Sequence, residues 1–153
     1  ATAGIPRPVD SPLRPTTVHF MEFAQDVKDF LARPLHAVFA TYAPDGSISQ
    51  SVVWYRVDGD TIWISCRPTS AKARYVAADP RVSLLVLAPH GGAYVRVEGR
   101  AAVDGTVSDE MRLDLVSPYQ GADAEGWMAQ HPLPSPNTLL RIHPDRVVTS
   151  GSL

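Results

Sequence analysis

The chain has 153 residues, 44% of them hydrophobic, so it can bury one sizeable core and a single domain is the expected organisation. Its formal net charge of -2 gives no general attraction toward nucleic acid or an anionic membrane surface, and we expect neither as a partner. No apolar run approaches the roughly 20 residues of a membrane helix, and the one cysteine excludes an internal disulfide. We therefore expect a cytoplasmic protein.

The N-terminal region divides into an arm and a helix. Residues 1–15 contain four prolines and no apolar periodicity, which predicts an extended arm ahead of a single domain over residues 16–153. Apolar side chains then recur at helical spacing, which predicts an amphipathic helix that ends before Pro34 and packs its apolar side inward. These side chains are Phe20, Phe23, Val27, Phe30 and Leu31.

Three successive antiparallel strands are expected after this helix, over residues 35–43, 48–57 and 61–66. Turn residues separate them at positions 44–46 and 58–60, where Pro-Asp-Gly and Asp-Gly-Asp stand. Both faces of the second strand carry apolar residues, so we expect protein or ligand to cover both of them.

The segment over residues 67–81 joins the third strand to a short helix and then to an apolar strand at 82–87. Thr69 and Ser70 suit a helix start, and Asp79-Pro80 suits its end. The backbone N–H groups of a helix start stabilise anions, and nearby cations add to this effect. We call the residues concerned the phosphate grip: Arg67, Thr69, Ser70, Lys72 and Arg74. The alternative is that Thr69 or Ser70 only caps the helix and the cations are solvated.

The second half of the chain predicts more strands and one further helix. Residues 93–104 alternate between apolar and polar, with Gly99 marking a bend or a close backbone approach. A helix is expected over 108–116, and a loop with one helical turn over 117–136. The last strands are expected at 138–142 and 146–149. The sum is a mainly β fold with peripheral helices, a split β-barrel of six to seven antiparallel strands.

Catalytic and metal-binding patterns are missing from the sequence. The histidines show no metal-ligand spacing, no carboxylate pair stands out, and hydrolase, nucleotide-triphosphatase and Rossmann motifs are absent. We therefore predict no catalytic side chain and no metal, with any chemistry supplied by a bound cofactor. His90 and His131 are the histidines that could border a cleft. Cys66 is expected to be structural, although Arg67 beside it could lower its pKa.

Four segments of the chain read TYAPDGSISQSVVWYRVDGD, TIWISCRPTSAKARYVAADPRVSLLV, YVRVEGRAAV and LLRIHPDRVV. They resemble the flavin-binding split β-barrels of the pyridoxamine-phosphate-oxidase-like superfamily, and in particular its actinobacterial branch that uses the deazaflavin coenzyme F-420. An S-x-K motif that is followed by a helix and a D-P-R-V strand is moderately specific in this order.

This resemblance implies a homodimer with two cofactor sites at the subunit interface and a small-molecule substrate. Ser70 and Lys72 match the family's phosphate-binding hydroxyl and lysine, with the other grip residues as helpers. The ring of the cofactor would lie along the second strand and the end of the third, on Gln50, Ser51, Val52, Val53, Trp54, Ser65 and Cys66.

Two departures from the resemblance argue against vitamin B6 oxidation. Gln50 stands where true pyridoxamine-phosphate oxidases carry an arginine, and their arginine-rich C-terminal motif is missing from residues 141–153. The implied function is hydride transfer between reduced F-420 and an unsaturated organic substrate. The alternatives are an FMN-dependent oxidoreductase, a cofactor carrier without a substrate, and a barrel that serves only in oligomeric contacts.

Overall fold

The computed structural model of the protein describes residues 21–153. The predicted arm at 1–15 and Phe20 lie outside the described residues. The first helix, α1, is Gln25–Leu31, with Val27, Phe30 and Leu31 buried. The backbone N–H of Phe23 donates to Asp60 Oδ1 at 3.0 Å. The predicted inward packing of the apolar side is therefore confirmed for the described part of the helix.

Within residues 21–153, seven strands form one antiparallel sheet, which confirms the mainly β fold predicted from the sequence. Along the sheet their order is β2-β1-β5-β6-β7-β4-β3. The strands are β1 (Ala37–Tyr42), β2 (Ile48–Val53), β3 (Arg56–Asp58), β4 (Thr61–Cys66), β5 (Arg81–Leu87), β6 (Tyr94–Thr106) and β7 (Thr138–Ser150). β1 pairs with β2, and β3 pairs with β4, in the two hairpins that the turn residues predict.

The prediction of one continuous strand over 48–57 is wrong, because Trp54 and Tyr55 interrupt it. Tyr55 is only 2% exposed, and its backbone N–H donates to the hydroxyl oxygen of Tyr119 at 3.4 Å instead of to a neighbouring strand. β2 and β3 consequently lie at the two ends of the strand order while only two residues separate them in the chain. The sheet must therefore curl until its two edge strands, β2 and β3, approach each other. Because these two strands stand at opposite ends of the strand order and are not paired, the barrel stays split between them.

Two of the later helices begin where the sequence predicts, but the second half of the chain contains more helix than expected. α2 (Ala71–Ala78) lies where it was predicted, and α3 (Asp109–Gln120) begins at the predicted cap, with Ser108 Oγ accepting from Met111 N at 3.1 Å. α3 then continues through Pro118, and a 3₁₀ turn (Gly121–Asp123) leads into α4 (Ala124–Gln130). The predicted loop over 117–136 is therefore helical over most of its length.

The last strand, β7, is continuous, so the prediction of two strands at 138–142 and 146–149 is wrong. The intervening residues form an irregularity in the ladder, where Gly99 of β6 lies opposite Pro144. A Cβ atom at Gly99 would collide with the carbonyl oxygen of His143. This confirms the predicted close backbone approach at Gly99.

The core fills the interior of the curled sheet. Its largest fully buried side chains come from α1 and from β1, β4, β5, β6 and β7. They are Phe39, Leu31, Ile62, Ile64, Leu84, Leu140, Ile142, Val86, Val95 and Val97. Leu139 is equally buried but packs in a separate cluster with Trp63, Val107 and Leu115. No helix in the described part of the chain has the length and apolarity needed to cross a bilayer.

Candidate functional site

A cavity of about 750 Å³ lies where the end of β4, the linker after β2 and the start of α2 meet α3 and α4. Nine of the twelve residues predicted to bind a cofactor line it. These nine are Val52, Val53, Trp54, Ser65, Cys66, Arg67, Thr69, Ser70 and Lys72. The structure therefore brings most of the predicted ring segment and most of the phosphate grip to one cavity.

Gln50, Ser51 and Arg74 do not line the cavity. Gln50 is exposed on the outer face of β2, and Ser51 is half-buried on the other face of that strand. Arg74 is exposed, with its guanidinium carbon 5.8 Å from the centre of the Tyr75 ring. His90 also lies elsewhere, in the turn between β5 and β6, where its Nδ1 accepts from Gly92 N at 2.8 Å.

Ser70 begins α2 as its N-cap residue, and its Oγ accepts from Ala73 N at 3.4 Å. The capping alternative is thus realised, but it does not exclude an anion. The hydroxyl retains its own hydrogen for an acceptor, and the first N–H groups of the helix remain available. This cap and the neighbouring cations form one polar end of the cavity.

The charges on the cavity wall are of one sign. Among the described residues, Arg67, Lys72 and Arg112 line it, and no Asp or Glu does. None of the three cations forms an ion pair within residues 21–153. Uncompensated positive charge in a concave site attracts anions, since protein walls focus the field into the opening.

Cys66 is buried beside this charge, with only 5% of its surface exposed. Burial raises the pKa of its thiol, and this effect outweighs the opposing influence of the Ser70 hydroxyl and the Lys72 charge. The thiol is therefore protonated at neutral pH, as a structural cysteine would be. A nucleophilic role that depends on a lowered pKa is not supported.

Aromatic rings form a second wall, which α3 and α4 complete. Trp54 stacks on Tyr119, with ring centres 4.6 Å apart and planes at 8°. Trp127 lies 5.3 Å from Trp54 and stacks on His131 at 4.0 Å. The Tyr119 hydroxyl fixes this group to the barrel by donating to Leu35 O at 2.8 Å. Trp54, Trp127 and His131 all line the cavity, so its wall offers flat surfaces to a planar ligand.

Sequence reasoning identified Trp54 and His131 from this second wall. It missed Arg112, Leu115, Val116 and Trp127, all of which line the cavity. The greater length of α3 could have been predicted, because Met111, Leu115 and Tyr119 recur at helical spacing and Tyr119 lies beyond the predicted end of the helix.

Asn137 is a further polar residue of the cavity that the sequence did not single out. Its Nδ2 donates to Ser65 Oγ at 3.0 Å, while its amide oxygen is buried without a hydrogen-bond partner among the described residues. An unpaired buried acceptor is costly, and a ligand donor would relieve that cost. Residues 21–153 contain no cluster of three His, Cys, Asp or Glu side chains that could hold a metal ion.

A curled antiparallel sheet with a cation-lined cavity beside a strand-to-helix junction defines the split-barrel class of cofactor-binding proteins. The family model for pyridoxamine 5'-phosphate oxidase matches residues 23–151, which is most of the chain. The chain belongs to this family. The superfamily resemblance noted in the sequence is thereby confirmed.

Solved structures share the fold at low sequence identity. An F420 reductase superposes with a TM-score of 0.64 and 24% identity, covering 82% of this chain and 98% of that protein. A putative pyridoxamine 5'-phosphate oxidase from Listeria innocua gives 0.64 and 16%, covering 82% and 96%. A related FMN-binding protein from Nostoc punctiforme gives 0.54 and 21%, covering 74% and 72%. No protein of curated function matches this sequence at a significant level.

Proposed function

We propose that this protein is an oxidoreductase that transfers a hydride between reduced coenzyme F-420 and a small unsaturated organic substrate. One observation carries the proposal: flat aromatic surfaces and cations at the start of α2, which have no carboxylate partner within residues 21–153, line the same cavity. A phosphate-bearing cofactor with a planar ring system requires both features in one site. The fold shared with an F420 reductase supports the choice of the deazaflavin.

The residues present fit such a cofactor. The cavity of about 750 Å³ lies within the roughly 300–1,000 Å³ that small-molecule and cofactor sites occupy. The grip offers Arg67 and Lys72 to a phosphate, together with the Ser70 hydroxyl. The unpaired amide oxygen of Asn137 offers an acceptor to a ring N–H group.

The residues of the chain would bind and orient, while the hydride chemistry belongs to the cofactor when it is bound. Arg67, Ser70 and Lys72 would hold the phosphate end and thereby set where the ring lies. Val52, Val53 and Trp54 would then flank the ring, and Trp127 would help to exclude water from the remaining space. Positioning and the exclusion of bulk water would accelerate the transfer, and the proton that completes the reduction of the substrate would come from solvent, since no side chain is assigned as an acid, base or nucleophile.

We also propose that the protein is a homodimer with its cofactor sites at the interface. Ile48 and Val52, on the outer face of β2, are 65% and 68% exposed. Val52 lies opposite Val38 in the sheet, and Val38 lies opposite Leu85, so an apolar row crosses the outer face. Because Val52 also lines the cavity, this surface is continuous with the site. Light scattering should give a dimer for the wild type and a monomer for Ile48→Asp; a wild-type monomer would refute the proposal.

FMN is the second candidate cofactor. Its terminal phosphate would occupy the same grip, and the fold is shared with an FMN-binding protein. A carrier without a substrate is the third candidate, and it would bind a cofactor without turning over.

Turnover separates the oxidoreductase from the carrier. Reduced F-420 and reduced FMN would each be incubated with the protein and a panel of unsaturated ketones, aldehydes and acids, and reoxidation would be followed by absorbance under anaerobic conditions. We expect reoxidation of F-420 that depends on both protein and acceptor. Tight binding with no acceptor-dependent reoxidation anywhere in the panel would instead favour the carrier.

A further inference from the structure

The third cation of the cavity, Arg112, belongs to α3 and takes no part in the phosphate grip. Arg112 is half-buried, and it has no carboxylate partner within residues 21–153. A cation on a cavity wall without a counter-ion attracts an anion, since the protein walls focus its field into the opening. The phosphate of a cofactor held at the start of α2 would be bound by Arg67 and Lys72, which leaves Arg112 for a different anionic group.

The guanidinium of Arg112 is held in place before any ligand arrives. One of its terminal nitrogens donates to the carbonyl oxygen of His131 at 2.6 Å, and its central carbon lies 5.8 Å from the centre of the Trp127 ring. An arginine has five N–H donors, so this single bond leaves most of the planar fork free. A preorganised fork loses little conformational entropy when it binds a carboxylate through two parallel hydrogen bonds.

A flat aromatic surface lies directly beside this fork. Trp127 and His131 stack with ring centres 4.0 Å apart, and His131 Nδ1 lies 2.7 Å from the carbonyl oxygen of Trp127. Because a carbonyl oxygen only accepts, Nδ1 carries the hydrogen in this contact, which fixes the imidazole plane. Both rings line the cavity together with Arg112. A planar group would pack on these rings while an attached carboxylate reached the guanidinium.

We propose that Arg112, with Trp127 and His131, forms a carboxylate-binding position that is separate from the phosphate grip. This inference rests on the proposed function, because that function supplies the two molecules that could bring a carboxylate to Arg112. One is the hydride acceptor, which would then be a planar unsaturated acid. The other is the acidic glutamate tail of F-420. Both sources offer the same chemistry to Arg112.

A matched pair of probes tests the substrate source. Calorimetry would compare trans-cinnamate with the neutral cinnamamide on cofactor-loaded wild type, on Arg112→Gln and on the control Arg100→Gln. Arg100 lies outside the cavity with a mostly exposed side chain. We expect wild type and Arg100→Gln to bind the acid about tenfold or more tightly than the amide, since hydrogen bonds to charged groups are the stronger kind. Arg112→Gln should lose this preference, and Arg112→Lys should keep part of it.

A second pair of probes tests the cofactor source. F-420 with several glutamates would be titrated against the form without glutamates, on the same variants. If the tail is the occupant, wild type should prefer the longer form and Arg112→Gln should not.

The proposal is overturned if wild type shows neither preference, or if Arg112→Gln retains every preference that wild type shows. In the latter case Arg112 only fastens α3 to the end of α4. Thermal melting identifies a variant that fails to fold. If Arg112→Gln fails to fold, the binding preferences of wild type and of Arg112→Lys test the proposal instead. Should the stripped protein bind neither F-420 nor FMN, the proposed function fails, and the cinnamate comparison on stripped protein still tests Arg112.

Discussion

Replacing Lys72 by alanine should weaken cofactor binding strongly while leaving the fold intact. Lys72 is half-buried, lines the cavity beside the Ser70 cap and has no carboxylate partner within residues 21–153, so its removal breaks no ion pair there. A hydrogen bond to a charged group contributes about 1.5–3 kcal/mol. We therefore expect the dissociation constant of the cofactor to rise about 10- to 150-fold, with a melting temperature close to that of wild type.

The matched control for Lys72→Ala is Arg74→Ala. Both residues lie in α2 and both carry one positive charge, but Arg74 is exposed and does not line the cavity. A long-range effect of net charge would change both variants equally, whereas direct contact should spare Arg74→Ala, with a change of less than about threefold at physiological salt. Fluorescence titration measures both. Equal losses in the two variants, or no loss in either, would refute the assignment of Lys72 to the grip.

Three further predictions concern stability and reactivity. The guanidinium of Arg81 holds the pKa of the Asp79 carboxyl at about 2, below its usual value. This ion pair should therefore stabilise the fold above about pH 4, and its contribution should disappear as the pH falls toward 2. Denaturant titrations at several pH values should show this loss, and Asp79→Asn should remove it; an identical pH profile in the variant would contradict the pairing. Gly99→Ala should destabilise the fold by about 1–3 kcal/mol or more, because the new Cβ would collide with the carbonyl of His143. Urea denaturation measures the change, and wild-type stability would argue against the close approach. Cys66 should react slowly with thiol reagents at pH 7, because burial raises its pKa, and rapid labelling of the native protein would count against its burial.

Local chemistry made α2 and the hairpins predictable from the sequence. Ser70 caps the helix, and Asp79-Pro80 ends it, through interactions with residues only a few positions away. The turn residues at 44–46 and 58–60 likewise place two hairpins. The meeting of nine predicted site residues at one cavity was instead implied by the family resemblance, which placed the second strand and the end of the third beside the start of α2.

The break in the second strand depends on a distant residue and could not be predicted locally. Trp54 and Tyr55 have strand-forming side chains, and only the Tyr119 hydroxyl, 64 positions away, takes the backbone N–H of Tyr55 out of the ladder. The second wall of the cavity escaped prediction because Pro118 and Gly121 indicate a loop. Burial of Leu115 and Val116 and the contacts of α3 with α4 outweigh that preference.

Equilibrium titration of cofactor-stripped protein with F-420 and with FMN, in parallel and followed by fluorescence, tests the central claim most directly. The proposed function predicts saturable binding with a clear preference for F-420, abolished or strongly weakened in Lys72→Ala. A preference for FMN would contradict the deazaflavin assignment and favour the flavin alternative. Binding of neither cofactor would contradict the proposed function itself.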